Sequence, residues 1–256
     1  MATIIDIVND LREIGINRGD KLLVHSSFKS LGYVEGGIET VVEALKTAVG
    51  EEGTLMLPTF TYGYVNAENP VFDIKKTPSC VGMIPEVFRH SEGVVRSLHP
   101  THSLAVWGKD KEYYIQNHYE DDNCLDVNSP IYKLMLDGGK ILHIGCGLTH
   151  NTILHGLEIH CKVPYAFKAD YSLPEYHREY ICIDENGKEH KKEFFHVFAK
   201  ATGWHHSLDR LAEIMPCIPI KVLEAESYLF DAKELWNIVE KALSKDPYCL
   251  AKRIDV

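Results

Sequence analysis

His155 and Glu158 stand three residues apart in GCGLTHNTILHGLEIHC (145–161), one helical turn, which puts an imidazole and a carboxylate on one face. A carboxylate that accepts a hydrogen bond from one ring nitrogen fixes the tautomer and leaves the other nitrogen as a general base. The strand end at Gly145 and Gly147, followed by a cap at Thr149 or Asn151, brings a helix start beside the pair. Its N–H groups suit developing negative charge. The same residues admit an ordinary i,i+3 surface pair. They also admit a metal site drawn from His150, His155, Glu158, His160 and Cys161, but fixed zinc motifs such as HExxH are absent and no metal is expected.

Two further stretches carry chemical potential. VHSSFKSLGYVEGG (24–37) ends a strand in Ser26, Ser27, Ser30 and Gly32 and opens a helix near Gly36-Gly37, a seat for a phosphate or a carbonyl oxygen. Its other reading is a plain strand-to-helix loop with serine turn formers. It contains neither GxxxxGK[ST] nor GxGxxG. RSLHPTHSLAVWG (96–108) places His99 and His102 in a loop kept extended by Pro100, ahead of a buried strand starting at Ser103. Arg96, a permanent cation with forked donors, is the better ligand there, and His102 reads as a bystander.

In VFDIKKTPSCVGMIPEVFRH (71–90), Thr77 or Ser79 is the expected helix cap and Glu86 and Arg89 lie one turn apart; HYEDDNCLD (118–126) is an acidic loop.

These residues must be held by a scaffold. Apolar runs at 21–27, 54–60, 103–108, 140–147 and 218–224 fit strands buried on both faces. Helical patterns fall at about 2–14, 36–48, 82–90, 129–136, 150–161, 196–213 and 231–244, the last with Asp231 as N-cap. This alternation predicts one α/β domain over 1–256, three-layer α/β/α with a mixed, largely parallel sheet. A late β-hairpin turns at Asn186-Gly187.

Bulk properties remove several function classes. A formal charge of −10 argues against a nucleic-acid partner and suits a cationic small substrate. No apolar run approaches the ~20 residues that cross a bilayer, and the N-terminus reads as a cytoplasmic start rather than a signal peptide. Seven scattered cysteines without a CxxC pair indicate neither a disulfide framework nor a thiolate zinc site.

Taken in order, VHSSFKSLGYVEGG, EGTLMLPTF, FDIKKTPSCVGMIPEVFR, RSLHPTHS, SPIYKL and NTILHGLE resemble the aminoglycoside 3-N-acetyltransferase family over roughly residues 5–165, with an echo at 224–243. That family differs in fold from the GNAT acetyltransferases. The resemblance implies acetyl-CoA as donor. It implies donor contacts from Ser26, Ser27, Phe28, Ser30, Leu31 and Gly32 in the first loop, and from Arg96, Ser97 and His99 in the second. It assigns His155 as the base for the acceptor amine and Glu158 as its orienting partner. The acceptor would meet Tyr62 and Asp73 in the short stretch after LPTF, and Glu120 and Asp121 in the acidic loop. An insertion at 165–215 would shape the same pocket.

The implied reaction is N-acetylation of an aminoglycoside or related amino sugar without a covalent serine or cysteine intermediate. A nucleotide-linked or polysaccharide-precursor amino sugar is an alternative acceptor. Two other classes stay open at this level: a metal-dependent hydrolase using the His/Glu cluster, and a CoA- or sugar-binding protein without catalysis. A homodimer is also open.

Overall fold

The structure, a computed structural model, describes residues 1–123, 125–167, 177–195 and 204–253. Its strands are β1 (Lys21–Ser26), β2 (Thr54–Pro58), β3 (Val71–Asp73), β4 (Val95–Arg96), β5 (Leu104–Gly108), β6 (Lys140–Ile144), β7 (His177–Ile183), β8 (Glu189–Phe195), β9 (Trp204–His206), β10 (Ile220–Val222), β11 (Ala225–Asp231) and β12 (Ala251–Arg253). The helices are α1 (Ile4–Glu13), α2 (Gly37–Val49), α3 (Met83–Phe88), α4 (Lys111–Ile115), α5 (Pro130–Leu136), α6 (Thr152–His160), α7 (Pro164–Phe167), α8 (Leu211–Ile214) and α9 (Ala232–Lys245).

The main sheet runs β10-β11-β6-β1-β2-β5-β4. Its centre, β6-β1-β2, is parallel, and antiparallel strands β5 and β11 flank it. Because side chains alternate across a strand, one run feeds two cores. Leu22 and Val24 of β1 pack with α1, α2 and α3, whereas Leu23 faces the α5, α6 and α9 side with Ile153, Leu157, Trp236 and Val239. Both cores are closed to water, which gives the expected three layers.

Local signals set several element starts. Thr3 and Asp6 form a reciprocal capping box at α1, Ser129 caps α5 ahead of Pro130, and Asp231 caps α9 through the Glu234 N–H. At α3 the expected caps Thr77 and Ser79 are not used: Gly82 takes the N-cap position, and Thr77 Oγ1 instead accepts from the Asp73 N–H.

Other expectations need correction. Residues 196–203 of the helix expected at 196–213 lie outside the described residues, and the rest is the strand β9, a short turn and α8. The run at 218–224 holds only β10. The longer strand β11 follows at once and pairs antiparallel with β6. The hairpin turns at Asn186-Gly187 as expected, with Gly187 at φ +81°. Its strand β7 also pairs in parallel with β3, making a separate sheet around Phe72, Tyr180 and Phe194.

Candidate active site

The carboxyl ends of β1, β2 and β6 point the same way, and β5, being antiparallel, begins at that edge. Loops leaving such an edge form a crevice suited to ligands. Here they enclose a cavity of about 470 Å³ lined by His25, Ser26, Phe60, Tyr62, His102, Cys146, Thr149, His150, Thr152, His155 and His206, among others.

His155 sits in the first turns of α6, and its Nδ1–H donates to Glu158 Oε2 at 2.7 Å. Glu158 is fully buried, and its Oε1 accepts the Tyr165 hydroxyl at 2.6 Å. The carboxylate is therefore held from both sides, and the proton on Nδ1 leaves Nε2 as the basic atom of His155. His206 stacks edge-on against His155, ring centroids 4.8 Å apart. Burial, then the neighbouring His155, lowers the His206 pKa to about 4, so it stays neutral beside a protonated partner.

A second group of imidazoles stands in the same wall. His25 of β1 and His143 of β6 are register partners, and their rings stack at 4.7 Å with 21° between planes. Burial, with His143 and His150 nearby, pushes the His25 pKa well down. Burial likewise brings His143 to about 4. The signal for this pair was in the sequence: LVHSS and ILHIG each break an apolar strand with a histidine just before its end.

Ser26 lines the cavity, but its neighbours serve the loop. Ser30 Oγ donates to Gly145 O at 2.9 Å and Ser27 Oγ at 3.1 Å, while Phe28 and Leu31 pack into the α1–α3 core. Gly32, at φ +77°, a left-handed backbone that favours glycine, lies against the Glu224 carboxylate.

The second loop is built differently from its sequence reading. Arg96 is 7% exposed and its donors are spent inside the protein, on Thr59 O and Oγ1, Ile74 O, Thr77 O and Ser103 Oγ. It clamps three loops and presents no fork to a phosphate. Ser97 is buried, its Oγ accepting from the Leu104 N–H and meeting His118 Nδ1 at 2.8 Å. His99 is 1% exposed; its Nδ1 accepts from the Thr101 and His102 N–H groups, so Nε2–H donates to Asn123 O at 3.2 Å. His102, read as the bystander, is the histidine of this loop that reaches the cavity, packed on Phe60 and near Tyr62.

Of the expected acceptor contacts, Tyr62 lines the cavity and is 53% exposed. Asp73 instead closes a turn, with Oδ1 accepting from the Lys75 and Lys76 N–H groups at 3.0 Å. Glu120 is exposed outside the cavity. Asp121 is buried; Oδ1 accepts from the Asn128 N–H and Nδ2–H, and burial raises its pKa to about 6.

The five-residue metal set does not assemble either. His160 points away to Glu240 at 3.0 Å. Ligand atoms of His155, Glu158 and His206 do lie within 4.8 Å of one another. Both Glu158 oxygens are engaged by Tyr165 and His155, which suits a proton relay better than a metal ligand.

A family model described as aminoglycoside 3-N-acetyltransferase matches residues 23–244. An aminoglycoside N(3)-acetyltransferase VIII of Streptomyces fradiae is 33% identical over 185 residues, covering 66% of this chain and 64% of that protein. The alignment thus spans less than two thirds of that relative's length. The YokD protein of Bacillus subtilis superposes with a TM-score of 0.78 at 27% identity, over 96% of this chain and 100% of that one. An AAC-IIIb structure binary with CoASH shares the fold, with a TM-score of 0.77 at 23% identity over 95% and 97% of the two chains.

Proposed function

Because this chain belongs to the aminoglycoside 3-N-acetyltransferase family, we propose that it transfers an acetyl group from acetyl-CoA to an amine of an aminoglycoside or a related amino sugar. The observation that carries the reading is the hydrogen-bonded series Tyr165, Glu158, His155, which ends in the cavity wall.

An ammonium cannot attack a thioester, so a base must take its proton while amine and acetyl carbon are held about 3 Å apart. His155 Nε2 takes that proton, and Glu158 steadies the resulting imidazolium. The amine nitrogen then bonds to the acetyl carbon, the carbonyl electron pair moves onto oxygen, and collapse of the adduct breaks the C–S bond. The thiolate of CoA leaves and is protonated by the imidazolium, and the former amine nitrogen, which carried an extra proton in the adduct, releases it to water to give the neutral amide. His206, neutral and beside the ring, adds no competing charge.

Release of thiol from acetyl-CoA, followed with aminoglycosides, free amino sugars and nucleotide-linked amino sugars, tests the reaction and sorts the acceptors. His155→Ala lowers kcat by roughly 10²–10⁴ and leaves acetyl-CoA affinity nearly unchanged, the size expected for a general base. Glu158→Gln loses less. Near-normal turnover by His155→Ala removes this residue as the base. No thiol release with any acceptor, and no rise in Tm at millimolar acetyl-CoA, refutes the reading itself.

A further inference from the structure

Two buried polar atoms without a hydrogen-bond partner among the described residues, His25 Nε2 and Ser26 Oγ, adjoin at the end of β1, beside the His143 and Asn151 side chains, which interact with each other. Isolated polar groups of this kind are rare in folded proteins, and an adjoining pair of them calls for a partner from outside the chain. His25 and Ser26 belong to the cavity wall that also holds His155 and Thr152, the first residue of α6.

The roles of the atoms follow from their neighbours. His143 Nδ1 lies 3.1 Å from Gly147 O and so carries the proton of that ring. Its ring lies flat under His25 and fixes the plane in which His25 Nε2 points. His25 is only 7% exposed and has no side-chain hydrogen bond among the described residues. Kept neutral by its surroundings, it can carry a proton on Nε2 and donate it in a hydrogen bond without giving it up. Ser26 Oγ adds a hydroxyl donor one residue on. Asn151, the N-cap of α6, makes no side-chain cap bond.

We propose that His25 Nε2–H and Ser26 Oγ–H bind the thioester carbonyl oxygen of the donor and hold the oxyanion formed on attack, with His143 as the positioning residue beneath. The inference rests on the acetyl-transfer reading above and assigns it a residue, His25, that the family resemblance did not supply. The carbonyl π pair moves to oxygen as the N–C bond forms, returns as the C–S bond breaks, and His25 keeps its proton throughout. A neutral donor fixed before the reaction costs no reorganisation when charge appears, which is how such sites accelerate acyl transfer.

His25→Phe keeps a flat ring on His143 and removes the donor, whereas His25→Gln restores an N–H near the Nε2 position. The expected result is a fall in kcat of about 10²–10³ for His25→Phe, the usual loss for one oxyanion donor, with partial recovery in His25→Gln. The affinity for CoA itself, which has no acyl carbonyl on sulfur, stays at the wild-type value. Ser26→Ala, a change that leaves the ring pair intact, gives a smaller fall and serves if His25→Phe does not fold. Wild-type turnover in His25→Phe and Ser26→Ala overturns the proposal. So does an equal loss of CoA affinity, which marks a pantetheine contact, or a His25→Gln enzyme no better than His25→Phe. A wild-type enzyme that releases no thiol with any acceptor overturns the underlying reading as well.

Discussion

Tyr165 donates its hydroxyl to Glu158 Oε1, and that bond decides which carboxylate oxygen is left for His155. Burial and the facing carboxylate push the Tyr165 pKa far above the usual phenol range, so the hydroxyl remains a donor at any working pH. Tyr165→Phe frees the carboxylate to rotate. We expect kcat to fall about tenfold, part of the ~1.5–3 kcal/mol of one bond to a charged group, with KM for the donor unchanged. Steady-state kinetics decide it, and an unaltered kcat means that His155 alone holds Glu158 in place.

Arg96 is a clamp, and its loss is a stability effect. Arg96→Ala strands the Ile74 and Thr77 carbonyls that its guanidinium serves, leaves Thr59 O with Ser103 Oγ as donor, and uncovers Phe72, whose ring centroid lies 5.0 Å from the guanidinium carbon. Urea melts should show a loss of about 2–4 kcal/mol. Calorimetry with CoA on the folded variant should show unchanged affinity. The opposite pattern, intact stability with weakened CoA binding, returns Arg96 to the cofactor site.

Gly145 follows β6 directly at φ +63°, and a Cβ there runs into the Cβ of Ser30. Gly145→Ala therefore forces a strained backbone and pushes the Ser27–Leu31 turn off the strand end, breaking the Ser30 bond to Gly145 O. Weaker donor binding with a lower Tm is expected, whereas Gly147→Ala, at φ +68° but with nothing within 4 Å of a Cβ, carries the backbone strain without the clash and should leave the Ser27–Leu31 turn in place. Equal effects of the two changes count against the close approach as the cause.

Acid should destabilise the fold in a defined window. His118 and His143 are held neutral, with pKa values lowered to about 3 and about 4 by burial, against about 6.5 in the unfolded chain. Between those values the unfolded state binds more protons than the native one, so stability rises with pH and is lost on going down from about 6.5. Each such histidine adds a slope of up to ~1.4 kcal/mol per pH unit. Denaturation curves at several pH values should show this, and His118→Phe should flatten the slope whatever it does to the absolute stability. An unchanged slope means His118 is already protonated in the folded state.

The sequence by itself determined the layers, most of the sheet and the His155–Glu158 pair, because each follows from local periodicity. Runs such as KLLVHS fit two-sided burial, and an i,i+3 spacing places two side chains on one helical face whatever the remainder of the chain does. Only the tertiary structure decided what meets that face. Tyr165 and His206 reach the dyad from α7 and β9 through packing that no spacing encodes. Arg96 and His99 have the residue types of a ligand site, yet strand pairing and the turn at Pro100 bury them, and buried donors take the nearest carbonyls. His102, three residues on, lines the cavity instead, packed on Phe60. The stacked His25–His143 pair needed β1 and β6 in register, and it is this long-range pairing that turns two strand histidines into one wall of the site.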